Sequence, residues 1–337
     1  MNEISVQVLA GFGIRARRVI KEKSQYICFT DKGNKYIRRS FDSAERIMFQ
    51  HEAKERLHDA GFSSTDRFEM TASKQGEPFV AFDGGLYTMT AHAVLREPDF
   101  TDNDIFRLAL DTAAAFHNAA RRLRFAGHVF YADHSTGAPS ADVFRKHFSQ
   151  LTTMKKKLSS QKKLSDFDVL VLKNYDFYIG LIETAAEMLE KFNFDTLDLA
   201  ARRAHHLCHG ALKEGNMPIY TVGSHDRIQI SNFSRAAVGS TLSDVATLIA
   251  RYMKNMPDKP LPLNDIIALY TAKCPLGTDE LQVLYPLLIY PHKFIRICNQ
   301  YYSKKRTWTP NALTNRMEAT IKNKEAIFDY AAALKKI

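Results

Sequence analysis

The sequence predicts an α+β chain in two lobes: a small strand-rich lobe over 1–92 and a larger, mostly helical lobe over 93–337. Three observations carry this reading. Short β-branched and aromatic runs, broken by glycine and polar turns, fill the first lobe. Long runs with apolar residues at helical spacing fill the second. One irregular segment, 205–235, interrupts those helices.

VQVLAGF, RARRVIKE, QYICFTD and KYIRRSF read as strands, with Asp31-Lys32-Gly33-Asn34 as a turn. SAERIMFQHEAKERLHDAGF then reads as a helix carrying Ile47, Met48, Leu57 and Ala60, stopped by Gly61. EPFVAFD and GLYTMTAHAV read as two further strands joined at Gly84-Gly85. After Glu97-Pro98-Asp99 the pattern turns helical. Thr101 and Asp104 have capping-box spacing ahead of NDIFRLALDTAAAFHNAARRL. YDFYIGLIETAAEMLEKF places Leu181, Ile182, Ala185 and Leu189 on one face. Between these helices Met154 to Lys163 carries Lys155, Lys156, Lys157, Lys162 and Lys163. This is either a solvated face or an electrostatic docking surface. In the irregular segment a strand is expected at Ile219–Val222, a turn at Gly223-Ser224-His225-Asp226 and a strand at Ile228–Ile230.

Composition excludes some classes. No stretch approaches the roughly 18 apolar residues of a membrane span; the densest, Leu281 to Tyr290, is short and interrupted by Pro286. The N-terminus shows no basic start, apolar run and cleavage site, so no secretory signal is read. Cys28, Cys208, Cys274 and Cys298 form no CxxC pair and are expected as buried, reduced thiols of a protein made in the cytoplasm. A net charge of +10 permits attraction to nucleic acid, acidic lipid or acidic protein. No aromatic and basic recognition motif accompanies it, so nucleic acid is not an expected partner.

The segment His209-Gly210-Ala211-Leu212-Lys213-Glu214-Gly215-Asn216 resembles the catalytic loop of aminoglycoside-phosphotransferase-like kinases, His-Gly-Asp, four residues, Asn. Ala211 stands at the acid position. Ile230-Ser231-Asn232-Phe233 is similar to their metal-binding strand end, with Asn232 in place of Asp, and Ser243-Asp244-Val245-Ala246 to the helix start that follows. LQVLYPLLIYPHKFIRICNQYYSKKRTW, the lysine-rich run before Ser165-Asp166-Phe167-Asp168, and Leu207-Cys208-His209-Gly210 resemble the CotS-like spore-coat family. The resemblance covers nearly the whole chain. It implies a two-lobed protein-kinase-like fold, a role in coat assembly with other coat proteins as partners, synthesis in the mother cell and residence in the spore coat.

The chemistry such a fold performs needs groups this chain lacks. Phosphoryl transfer depends on positioning and charge neutralisation. Ala211 cannot orient an acceptor hydroxyl, and losing a positioned base commonly costs about 10²–10⁴-fold. Asn232 offers a neutral carbonyl oxygen, a weak ligand for Mg²⁺. Both losses strike one reaction and do not simply multiply. The chain therefore reads as a catalytically impaired, pseudokinase-like protein, with no cofactor expected and ATP and Mg²⁺ left as weak alternatives. His209, Asn216 and Asp244 are retained. Arg38 overlays the strand position of the phosphate-binding lysine, with Lys35 the alternative if the register slips. Glu52 is the candidate helix carboxylate. An ordinary exposed strand charge is the competing reading for Arg38 and Lys35. Gly11 and Gly13 lack the third glycine of a phosphate loop.

Rival readings remain. One is a working phosphotransferase drawing a carboxylate from Glu214, Asp226 or Asp244; another is a nucleotide or small-ligand sensor. His205, His206 and His209 lack the carboxylates of a metal site. His117 on an apolar helix reads as a core histidine, and Tyr301, Tyr302 and Trp308 as packing anchors. Asn216 and Asn232 are expected side by side, across from Arg38.

Overall fold

The computed structural model describes residues 4–22, 25–91, 95–132, 139–254, 258–302 and 309–336. Residue 92, at the expected lobe boundary, and Trp308 lie outside the described residues. Grouped by compactness, the chain forms two units, Met1–Ala132 with Arg202–Thr241, and Asp133–Ala201 with Leu242–Ile337. The first unit thus gathers the strands, the first two long helices and the whole irregular segment 205–235.

Helix α1 (Val6–Gly11) opens the first unit where a strand was expected. Ser5 caps it by accepting from the Gln7 N–H. Val8 and Leu9 pack in a cluster with Ile4, Phe12, Ile14, Cys28, Ile37 and Met89. Burial against a sheet outweighs the strand preference of two valines, which is a weak and context-dependent term. That sheet runs β1 (Ala16–Glu22), β2 (Gln25–Thr30), β3 (Gly33–Ser40), β4 (Val80–Phe82) and β5 (Gly85–Ala91) in the order β1-β2-β3-β5-β4, antiparallel throughout. Asp83 and Gly84 both take positive φ, 47° and 64°, the twist that suits a two-residue hairpin. The central strand β3 is the one that carries Lys35 and Arg38.

Between β3 and β4 lies α2 (Ala44–Asp59), capped by Ser43, whose hydroxyl accepts from the Arg46 N–H. Helix α3 (Asn103–Ala120) is capped by Asp102, not by the expected Thr101–Asp104 box. The Thr101 N–H and hydroxyl both donate to Asp99, at 2.9 and 2.7 Å. That leaves the extended Asp102 to accept from Asp104 and Ile105. In the irregular segment β6 (Leu207–Cys208) is followed by the hairpin β7 (Ile219–Val222) and β8 (His225–Ile228), and then by β9 (Ala237–Val238), which pairs with β6. The strand expected to reach Ile230 ends at Ile228; Ile230 bridges instead to Thr65.

The second unit is helical among its described residues: α4 (Ala141–Ser159), α5 (Asp166–Lys191), α6 (Phe194–Arg203), α7 (Leu242–Lys254), α8 (Leu263–Thr271), α9 (Thr278–Ile289), α10 (His292–Tyr302), α11 (Pro310–Ile321) and α12 (Lys324–Ala331). Helix α5 begins well before the expected Tyr175, because Ser165 and Asp168 close a capping box at its start. The same Asp168 accepts from the Tyr302 hydroxyl at 2.7 Å, and Phe167 stacks on Tyr301 with centroids 3.8 Å apart. Two motifs far apart in the sequence therefore meet, and Tyr301 and Tyr302 serve as packing anchors. His117 is fully buried, and the four cysteines are buried free thiols. Among the described residues no helix is long and apolar enough to cross a membrane.

Candidate functional site

The segment after β6 is held from below. His209 is fully buried, its Nε2 donates to the Ser231 carbonyl at 3.0 Å, and its ring meets Phe233 edge-on. Gly210 takes φ 71°, and a Cβ there would lie 2.6 Å from the Arg235 carbonyl oxygen, so only glycine fits. Leu212 and Met217 are fully buried on either side of a single 3₁₀ turn, Glu214–Asn216. These anchors fix Ala211 and Asn216 at the ends of one short loop.

Asn216 and Asn232 are brought together. Asn232 Nδ2 donates to Asn216 Oδ1 at 3.1 Å, and Asn216 Nδ2 donates to the Ala211 carbonyl at 2.9 Å. Asn232 Oδ1 accepts from the Ser234 hydroxyl at 3.0 Å. The Ser231 N–H donates to the Asn216 carbonyl at 3.0 Å, tying the two segments by backbone as well. Asn232 sits in the left-handed region at φ 62°, ψ 66°, a conformation that asparagine tolerates better than most residues. The corner is a closed chain of neutral amides. Among the described residues no group of His, Cys, Asp or Glu is arranged to hold a metal ion. The donor set at this corner does not fit Mg²⁺, which favours carboxylate and phosphate oxygens.

Charged residues that the sequence reading passed over flank this corner. Lys54 of α2 is fully buried, with Nζ 2.8 Å from both the Asp66 carbonyl and Asp66 Oδ1. Its ammonium lies 3.7 Å from the Phe68 ring centroid and 5.4 Å from that of Phe233. Burial holds the Lys54 pKa below its ordinary value, with Asp66 pulling the other way. Asp66 Oδ2 in turn accepts from the Asn232 N–H at 3.3 Å. Arg46, two turns earlier on α2, donates from Nε and Nη2 to the Ser234 carbonyl at 3.0 and 2.7 Å and lies over the Phe130 ring. The signal was present in the sequence: Arg46, Gln50 and Lys54 recur every fourth residue on the face that also carries Ile47, Ala53 and Leu57, all buried.

The other candidates take varied places. Arg38 is half-buried on β3, close enough to Lys54 for their charges to repel. Lys35 pairs with Glu69. Glu52 does not reach Arg38: its carboxylate accepts from the Ala126 N–H at 3.2 Å and lies 3.5 Å from Arg56. Its position on the helix points it toward the segment after α3. Asp226 is held by Arg96 and by the Thr221 hydroxyl at the β7–β8 hairpin. Glu214 sits in the 3₁₀ turn, and Asp244 is buried near the start of α7 in the second unit. His205 Nδ1 accepts from the Phe125 N–H, so it is spent on backbone. A groove of about 320 Å³ opens beside Asp66, lined also by Phe68, Thr90 and Gln229.

Comparison with solved structures gives the fold. An aminoglycoside phosphotransferase from Alicyclobacillus acidocaldarius superposes with TM-score 0.83 at 16% identity, covering 100% of this chain and 96% of its own. A spectinomycin phosphotransferase in complex with ADP and spectinomycin gives TM-score 0.62 at 12% identity, covering 98% and 97%. A microcompartment-associated aminopropanol kinase gives 0.61 at 12%, covering 97% of each chain. The fold is that of the protein-kinase-like aminoglycoside phosphotransferases, with a small antiparallel sheet and a large helical part. No curated protein sequence matches the chain. A family model described as "Spore coat putative kinase YutH" matches residues 6–336, and the chain belongs to that spore-coat family.

Proposed function

We propose that this protein is a catalytically impaired member of its kinase-like family that acts by binding, in assembly of the spore coat, with other coat proteins as partners. The observation that carries the reading is the Asn216–Asn232 amide pair. Where phosphoryl transfer calls for carboxylates around a metal, the chain places two neutral amides that satisfy each other, next to Ala211. Synthesis in the mother cell followed by deposition in the coat goes with this role. The purified protein should transfer no phosphate from ATP with Mg²⁺ to sugars, aminoglycosides or amino alcohols above the level of an Asn216→Ala, Asn232→Ala double variant. Turnover that exceeds the double variant would overturn the proposal and make the protein an enzyme.

One observation favours a second reading, a sensor that holds a nucleotide without turnover. The Arg38 side chain has no hydrogen bond or ion pair among the described residues, and it lies on the central strand of the sheet. A phosphate would suit it. Thermal shift with ATP separates the readings: a metal-independent shift that vanishes in Arg38→Ala supports the sensor, and no shift supports a scaffold.

A further inference from the structure

The groove of about 320 Å³ beside Asp66 is walled by backbone that is already fixed. Residues 65–69 run antiparallel to the end of β5: Phe68 bridges to Thr90, and the Glu69 N–H donates to the Met89 carbonyl at 2.8 Å. At the start of that segment Thr65 bridges in parallel to Ile230, and the Ile230 N–H donates to the Ser64 carbonyl at 2.8 Å. Gln229, just after β8, is tied in twice. Its N–H donates to the Pro218 carbonyl at 2.9 Å, and its Nε2 to the Thr65 carbonyl at 3.3 Å. All of these residues belong to the first unit. A ligand therefore meets a preformed surface and loses little free energy in ordering it. The volume lies at the small end of ligand pockets, which run from about 300 to 1,000 Å³.

The charged side chains of the groove are answered within the protein. Asp66 holds Lys54, Arg67 donates to Glu55 from Nε at 2.8 Å, and Glu69 pairs with Lys35. Three uncharged groups keep hydrogen-bonding capacity. Thr65 is only 6% exposed, and its hydroxyl has no partner among the described residues. The hydroxyl of half-buried Thr90 makes no hydrogen bond among them either, and Gln229 uses its Nε2 but leaves Oε1 open. A fold seldom leaves a buried hydroxyl unpaired. This pattern selects a class of ligand. An anion would face the Asp66 and Glu69 carboxylates, with Arg67 already engaged by Glu55. An organic cation would find both carboxylates held by lysines. An apolar molecule would cover the three uncharged groups and leave them without partners. An uncharged molecule with several hydroxyls donates to Gln229 Oε1, and both donates to and accepts from the two threonines.

We propose that this groove binds a small uncharged polyol, the size of one sugar ring or of an open-chain sugar alcohol, through Thr65, Thr90 and Gln229. The site lies beside the Asn216–Asn232 corner but uses none of its side-chain amides, and it stands whether that corner is idle or catalytic.

The test is a titration of the full chain with myo-inositol and, separately, with sorbitol, followed by the NMR signals of the protein. Concentrations stay below those at which excluded polyols stabilise proteins in general. The Thr65 and Thr90 methyl signals and the Gln229 side-chain amide should shift saturably with at least one of the two. Tighter inositol binding identifies a cyclic ligand, and tighter sorbitol binding an open-chain one. Thr65→Val keeps the shape of the side chain and removes its hydroxyl. It should weaken binding about fivefold, the worth of one hydrogen bond. The same change should leave the melting temperature of the ligand-free protein equal or higher, because an unpaired buried hydroxyl is lost. That opposite sign separates a binding role from a folding role. Thr90→Val should weaken binding in the same sense. The proposal is overturned if neither polyol gives a saturable shift, if the shifts fall only outside the groove, or if a Thr65→Val, Thr90→Val double variant binds as tightly as the parent. Tighter binding of inorganic phosphate or of putrescine than of both polyols would overturn it as well.

Discussion

At the Asn216–Asn232 corner neutral amides answer one another, whereas at the start of α5 a carboxylate, Asp168, is answered by the hydroxyls of Tyr302 and Ser165. Lys54, fully buried near the first region, has Asp66 beside it. The second region is matched as well, with Phe167 stacked on Tyr301 beside it. A kinase-like fold is known by its first region, yet here that region is complete as it stands. Polar groups satisfied internally rigidify a fold.

The most forceful way to break the contrast is to unmatch the first region. Asp66→Ala leaves the fully buried Lys54 ammonium with only the residue 66 carbonyl, and should cost about 3–5 kcal/mol in denaturant unfolding. Lys54→Met removes the ammonium, keeps the apolar stem between Phe68 and Phe233, and leaves Asp66 partly exposed and still accepting from Asn232. It should cost much less. Equal losses for the two variants would show that the pair acts through something other than charge burial.

A smaller effect comes from a matched carboxylate inside the helical unit. Burial raises the Asp168 pKa, but the hydroxyls of Tyr302 and Ser165 and the Ser165 N–H outweigh it, leaving the carboxyl below its ordinary range. A carboxyl depressed in the folded state adds stability above its unfolded value, about 3.9, and that stability is lost as pH falls through the folded value. Tyr302→Phe should therefore cost about 1.5 kcal/mol at neutral pH. The deficit should begin to shrink as pH falls below about 4 and should vanish only below the depressed folded value, where the carboxyl is protonated in both states. A deficit constant with pH would assign the loss to packing against Phe167 instead.

The strands β1 to β5 and helix α2 were legible because alternation, turns and helical spacing are local signals. The first segment was misread because Val6 and Val8 prefer strands in isolation, and only the sheet beneath them makes a helix of that stretch. Asn216 and Asn232 could be paired because their two segments resemble the catalytic loop and metal-binding strand of the kinase-like family, which converge on one corner, while Lys54, Arg46 and Asp66 could not. Their partners are a carbonyl, a carboxylate and aromatic rings that the chain brings near only after folding. Glu52 failed for the same reason. The expected partner lay across the sheet, and the backbone N–H of Ala126 took the carboxylate instead.

The finest test sharpens what counts as a basic site. Lys155 is paired with Asp176 and lies over the Tyr175 ring, while Lys156, Lys157, Lys162 and Lys163 are exposed. These lysines stand in water, where charges act within a Debye length of about 8 Å and steer encounters more than they hold a ligand. Changing Lys156, Lys162 and Lys163 to Glu should move stability by less than about 0.5 kcal/mol. It should slow association with a coat partner if that surface docks one, and flatten the salt dependence of that association. An unaltered rate and salt response would leave these lysines as a solvated face, since six units of formal charge would then have been altered there without effect.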